Sequence, residues 1–109
     1  MIKKTVNILG TDYEIRIDPD DPIFKYEIDG YCDETTKTIV VQEFVPDDRS
    51  KSDLRHFQTQ VIRHELIHAF LFESGLAECS SWAKNEEMVD FFAIQIPKMI
   101  LTMEQAEVL

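Results

Sequence analysis

Apolar and polar positions alternate along the first 45 residues. In "KTVNI" and "YEIRI", Val6 and Ile8, then Tyr13, Ile15 and Ile17, fall on one face of an extended chain. That period of two marks strands with one buried face. Gly10-Thr11-Asp12 supplies a turn between them, so a β-hairpin is expected. "DPDDP" (18–22) combines two prolines with three aspartates and reads as a loop. A second pair of strands is expected from about Tyr26 to Cys32 and from Lys37 to Gln42, with polar "DETT" between them. Pro46-Asp47-Asp48 closes the β part.

From Ser50 the period lengthens to that of a helix. Ser50 or Ser52 is a suitable N-cap, Asp53 suits the positive end of the helix dipole, and Gly75 is the expected C-terminal stop. The first helix therefore runs to about Ser74. A second begins near Ser80 or Ser81 and continues to Pro97, which either kinks it or separates a short third helix, "KMILTMEQAEVL". Strands followed by helices predict an α+β fold: a small N-terminal antiparallel sheet of hairpins packed against two to three C-terminal helices. At 109 residues, with no repeat or linker, the chain is expected to be one domain, 1–109.

Composition narrows the function classes. The hydrophobic fraction of 44% fits a folded chain, and no apolar run approaches the ~18 residues of a membrane span. "MIKKTVNILG" has no adequate apolar h-region, so a mature N-terminus and a cytoplasmic location are expected, with Cys32 and Cys79 as reduced thiols. The net charge is −10, with Asp18, Asp20, Asp21, Glu27, Asp29, Asp33 and Glu34 clustered early. Such a surface repels phosphate backbones, so no nucleic-acid partner is expected; a basic peptide or protein would be attracted. Excess acid also keeps a small protein soluble.

The chemistry lies in "RHFQTQVIRHELIHAFLFESG". On a wheel of about 100° per residue with His64 at zero, His68 falls near 40° and Glu65 near 100°. Phe57, Val61, Leu71 and Phe72 lie at about 20°, 60°, −20° and 80°, which sets the histidines amid an inward apolar stripe. They are either a pair of core histidines satisfied by hydrogen bonds or two ligands aimed at one metal ion. Histidines one turn apart can share a zinc ion, and the glutamate between them can reach a water without binding metal. The second helix offers "NEEMVD" (85–90). If Glu86 faces the metal, Asp90 lies one turn on as an acceptor for the outer ring nitrogen of a ligand histidine, with Trp82 and Ala93 on the same face, while Glu87 is turned away by about 100°. Carboxylates are also favoured in any first helical turn, which accounts for Glu86 but poorly for Asp90. Cys79 is an alternative third ligand and otherwise a buried thiol. Cys32 reads as structural and His56, two turns before His64, as a surface residue. Tyr26 or Tyr31 could serve an oxyanion or simply pack.

His64-Glu65-Leu66-Ile67-His68 followed by Asn85-Glu86-Glu87-Met88-Val89-Asp90 resembles the gluzincin metallopeptidases, whose pattern is HExxH followed by NExxxD. "EEMVDFFA" also resembles the corresponding helix of the ImmA/IrrE family, small zinc peptidases of phage-like mobile elements and bacteria linked to repressor cleavage. The resemblance covers residues 64 to 93, and "TKTIVV" loosely. It departs at Val89, where the family has Ala, at Pro97, two residues early, and at the N-terminal hairpin, where the family has helices. It implies a minimal zincin-like domain with zinc on His64, His68 and Glu86, Glu65 as general base and Asp90 behind a histidine. The implied activity is peptide-bond hydrolysis on a peptide or protein substrate, a repressor being one candidate. Thr38 to Val41 is the expected edge for an extended peptide. The alternative is a non-catalytic zinc-binding domain that docks a protein partner.

Overall fold

The computed structural model describes residues 2–22, 28–43 and 54–109. Strands β1 (Ile2–Ile8), β2 (Thr11–Asp18), β3 (Gly30–Asp33) and β4 (Thr38–Gln42) precede helices α1 (Leu54–Glu73), α2 (Leu76–Cys79) and α3 (Glu86–Gln105). The fold is α+β, a four-stranded sheet packed with three helices. Tyr26, Pro46, Ser50, Ser52 and Asp53, to which the sequence assigns strand, turn and cap roles, lie outside the described residues.

Strands β1 and β2 form the expected hairpin, with Val6 opposite Tyr13 and Ile8 opposite Thr11. The turn is Leu9-Gly10, one residue earlier than the sequence suggests. Both residues have positive φ (51° and 95°), as the two-residue turn that matches strand twist requires. Asn7 holds it, accepting from the Gly10 amide (3.0 Å) and donating to Asp12 (3.1 Å).

The all-antiparallel expectation is corrected. Strand order is β1-β2-β4-β3, and β2 pairs with β4 in parallel, Ile15 against Ile39 and Ile17 against Val41. The physical reason is the apolar run "TIVV". Thr38, Ile39, Val40 and Val41 are each buried, a requirement that only a central strand covered on both faces meets. β4 therefore inserts between β2 and β3, and the segment after β2 spans the width of two strand spacings, about 10 Å. The same result overturns Thr38–Val41 as a free edge: both sides of β4 are paired, and β3 takes the outer position.

Helix α1 covers one face of the sheet. Ile8, Tyr13, Ile15, Ile39, Val41 and Ala69 form the core, with Val61, Ile62 and Leu66 packed against it. The helix stops at Gly75 (φ 84°), as expected. The second long helix starts later than the sequence suggests. Residues 76–79 make one short helical turn, 82–84 a 3-10 turn, and α3 begins only when Asn85 caps it by accepting from the Met88 amide (2.8 Å). An asparagine followed by two glutamates is a stronger start than a serine five residues upstream. Trp82 thereby leaves the α3 face and stands half-exposed. Helix α3 neither stops nor divides at Pro97 but continues to Gln105.

Cys32 and Cys79 are both free thiols, and burial pushes the Cys32 thiol up to about 12. No helix among the described residues is long and apolar enough to cross a membrane.

The end of α1 is tied to the sheet by a polar contact. The Tyr13 hydroxyl (2.7 Å) and Lys37 Nζ (2.6 Å) both donate to one oxygen of Glu73. The Lys37 and Tyr13 hydrogen bonds hold the Glu73 carboxyl below its ordinary value of 4.5. A depressed folded value means that this contribution is complete above about pH 4.5 and is lost as pH falls through the folded value. Glu73→Gln is thus expected to be less stable at neutral pH with a shallower acid limb, read by urea unfolding from pH 7 to 3. Tyr13→Phe keeps the packing and is expected to cost about 1.5 kcal/mol by the same measurement.

Candidate metal centre

The site forms where α3 packs antiparallel on α1. His64 and His68 lie one turn apart on α1, and their Nε2 atoms face each other at 3.2 Å. Glu86, the first residue of α3, brings Oε2 to 3.0 Å from His64 Nε2 and Oε1 to 3.0 Å from His68 Nε2. Asp90, one turn along α3, accepts from His64 Nδ1 at 2.6 Å. Glu65 is 6% exposed, and one ligand-capable atom from each of His64, Glu65 and His68 lies within 4.8 Å of the other two. This trio could hold a metal ion.

The orientation of α1 differs from the wheel reading in one respect. The residues packed on the sheet, Val61, Ile62, Leu66 and Ala69, centre at about 140° from His64, not at the histidines. The histidines sit at the margin of the buried face, half-buried, where α3 and a cleft meet them. Glu65, at about 100°, points closer to the sheet, which explains its deeper burial.

These positions impose electrostatic conditions. With Asp90 accepting from Nδ1, His64 directs its Nε2 toward the carboxylate of Glu86 and toward His68 Nε2. Electron-rich atoms 3 Å apart are compatible when a cation, a proton or a metal ion, is shared among them. The separations test the metal alternative. Bonds of 2.0–2.1 Å in a tetrahedral shell put ligand atoms about 3.3 Å apart. The His64–His68 Nε2 separation of 3.2 Å fits one edge of such a shell, and Glu86 meets the two nitrogens through different oxygens, Oε2 and Oε1, at 3.0 Å each, so its carboxylate must turn one oxygen toward both to supply a third vertex. Burial pushes the Glu65 carboxyl up to about 7, with the Glu86 and Asp90 carboxylates acting in the same direction and His64 opposing. Burial lowers the His68 value, countered in part by Glu86.

The cluster opens into a cleft of about 560 Å³ lined by Ile28, Asp29, Gly30, Phe57, Gln60, Val61, His64, Glu65, His68, Glu86, Asp90 and Ile94. The structure thus gathers His64, Glu65, His68, Glu86 and Asp90 in one place and leaves other candidates outside. Glu87 and His56 are exposed and line no part of the cleft. Cys79 lies beyond the end of α1 with its Sγ 3.6 Å from the Gly75 carbonyl, not at the histidines. Tyr31 faces away: its cross-strand partner is Val40, and its hydroxyl donates to Asp21 (3.0 Å) on the side of the sheet opposite the core, with burial pushing it up to about 12. Gln60 and Ile94 are cleft residues that the sequence does not single out, and Phe57, expected on the inward stripe, lines the cleft. Gln60 was detectable, since it precedes His64 by one turn and shares its stripe.

No protein-family model matches the chain, and searches of curated proteins and of solved structures return no similar protein. The likeness to zinc peptidases therefore rests on the motif residues themselves.

Two measurements test the centre. With zinc as the probe, Glu86→Ala is expected to abolish stoichiometric uptake and Glu87→Ala to leave it unchanged; the reverse result would mean the phase of α3 is wrong. Asp90→Asn is expected to weaken uptake by roughly 10- to 100-fold, measured by competition with a chromophoric chelator.

Proposed function

We propose that this chain is a minimal zinc-dependent peptidase in which His64, His68 and Glu86 hold the metal and Glu65 is the general base. One observation carries the reading: two imidazole nitrogens 3.2 Å apart on α1 each meet an oxygen of the α3 carboxylate Glu86 at 3.0 Å, and a buried carboxylate that makes none of those short contacts stands beside them. Zinc held there supplies Lewis-acid polarisation of a carbonyl and of a water. The protein's own groups do the rest. Asp90 fixes the His64 tautomer so that Nε2 points into the site. Glu65 takes a proton from the attacking water and returns it to the departing amine, and its burial keeps competing solvent away. Gln60 offers a neutral amide donor within the cleft for a substrate carbonyl.

The substrate class follows from the walls. With Glu86 held by the metal, Asp29, Glu65 and Asp90 still line the cleft with no lysine or arginine among the described lining residues, so an extended basic peptide is the best electrostatic match. Phe57, Val61 and Ile94 supply apolar contact. The backbone for strand addition is that of β3, the outer strand, whose start at Gly30 lines the cleft. The resemblance to the ImmA/IrrE family supports a protein substrate, a repressor among the candidates.

A second reading, a zinc-binding domain that docks a partner without turnover, is favoured by the absence of a cationic oxyanion donor among those lining residues. Glu65→Gln separates the two. It keeps size and polarity, so zinc uptake and folding are expected to persist while peptide hydrolysis falls by at least about 10²- to 10⁴-fold. Peptide-library turnover by the zinc-loaded protein supplies the measurement. Full hydrolytic activity in Glu65→Gln would sink the mechanism, and no turnover in either form, with partner binding intact, would establish the docking role.

A further inference from the structure

Arg63 immediately precedes the first ligand histidine, yet its side chain reaches across to α3, where Nε donates to the carbonyl oxygen of Ala93 at 2.6 Å. Ala93 is 1% exposed, so its carbonyl cannot rely on water. In an uninterrupted helix that oxygen accepts from the amide four residues on, but residue 97 is proline and has no N–H. Pro97 thus deprives one buried carbonyl of α3 of its regular donor, and Arg63 of α1 supplies the replacement. A buried acceptor left without a donor is costly, so this contact specifies one arrangement of the two helices over its neighbours.

That arrangement is the one the site requires. Glu86, Asp90, Ala93 and Pro97 are spaced by four, three and four residues, which puts them on one face of α3. The cross-helix contacts run antiparallel along that face: His68 to Glu86, His64 to Asp90 and Arg63 to Ala93. The Arg63 contact lies about 4.5 Å along α3 from the Asp90 contact, three residues at helical rise. We propose that Arg63 is a positioning residue for the metal centre, and that Pro97 is its counterpart, exposing the carbonyl by which α3 is registered on α1. The proposal rests on the zinc-site reading above and deepens it: Arg63 touches no ligand atom and acts by fixing where Glu86 and Asp90 stand.

The test is a double-mutant cycle between Arg63→Met and Pro97→Ala in the full chain, with two readouts. The first is zinc affinity of the folded protein by chelator competition. The second is the NMR signal of the His64 Nδ1 proton hydrogen-bonded to Asp90 in metal-free protein. Arg63→Met is expected to lower affinity roughly 10- to 100-fold, the range for lost outer contacts of a metal site, and to weaken the His64 signal while the methyl spectrum stays native. Pro97→Ala gives the Ala93 carbonyl an intrahelical donor, so in that background Arg63→Met is expected to lose most of its effect. If Arg63→Met alone does not fold, Pro97→Ala is expected to restore folding, and failure to restore it overturns the proposal. Wild-type affinity and an intact His64 signal in Arg63→Met overturn it even if the variant is less stable, because the arginine then only stabilises. An equal fall in both backgrounds also overturns it, since the arginine would then act by charge and not through the carbonyl. If the wild-type chain takes up no zinc, the peptidase reading fails, and the His64 signal still decides the fate of the positioning role.

Discussion

The packing of α3 against α1 is the constraint on which the site depends. Val89 and Ala93 are fully buried on α3, and the small Ala93 permits close approach of the two helix backbones. At that separation the carboxylates of Glu86 and Asp90 cannot avoid the imidazoles of α1: the contacts are 3.0 Å to both histidines and 2.6 Å to His64 Nδ1. The sheet contributes indirectly. By burying Ile62, Leu66 and Ala69 it fixes the rotation of α1, and rotation decides which way the histidines face. A one-residue slip of α3 would turn every side chain by about 100° and present Glu87 in place of Glu86.

Electrostatics explains why such a cluster needs a strong scaffold. Four carboxylates line one cleft in a chain of net charge −10, and one of them, Glu65, is nearly excluded from water. Burying an ionised carboxylate without a compensating charge is among the more costly arrangements a small protein can hold. The stabilising part of the molecule is kept apart from it. The apolar core lies between the sheet and the opposite flank of α1, and the Tyr13–Glu73–Lys37 contact secures the C-terminal end of that helix.

How much of this was legible in the sequence varied with the range of the signal. Local signals carried well: alternation gave the first hairpin, Gly75 ended α1, and HELIH followed by NEEMVD identified the five residues that the fold gathers. Signals that depend on distant neighbours did not carry. "TIVV" looked like an outer strand until its burial on both faces showed it to be central, because strand order depends on which strand has most apolar surface to cover. The start of α3 differs because Ser80 and Ser81 compete locally with Asn85, and the two glutamates after Asn85 together with its cap bond to Met88 decide between them. Pro97 leaves a kinked helix and a separate third helix both open in the sequence, because sequence alone cannot show that a side chain from another helix satisfies the carbonyl it frees. The wheel puts the histidines at the centre of the apolar stripe because it weights all apolar residues alike, whereas Phe57, Leu71 and Phe72 are not among the residues packed on the core.

The division between a stabilising core and a charged cleft has a thermodynamic consequence. A cation bound among His64, His68 and Glu86 would be shared by electron-rich atoms that the fold holds 3.0–3.2 Å apart, whereas the unfolded chain keeps those groups far apart. Binding is therefore linked to folding, and the linkage acts mainly on the α1–α3 contact, because that is where those groups meet. At a free metal concentration 100 times the dissociation constant this linkage amounts to about 2.7 kcal/mol, a sizeable share of the 5–15 kcal/mol, roughly, that holds a domain folded. The sheet and the inner flank of α1 contribute none of the ligands and have no comparable reason to respond. Removing the metal is accordingly expected to lower stability at the α1–α3 seam more than elsewhere, with that contact still formed in the folded chain and the hairpins and the core beneath them unaffected.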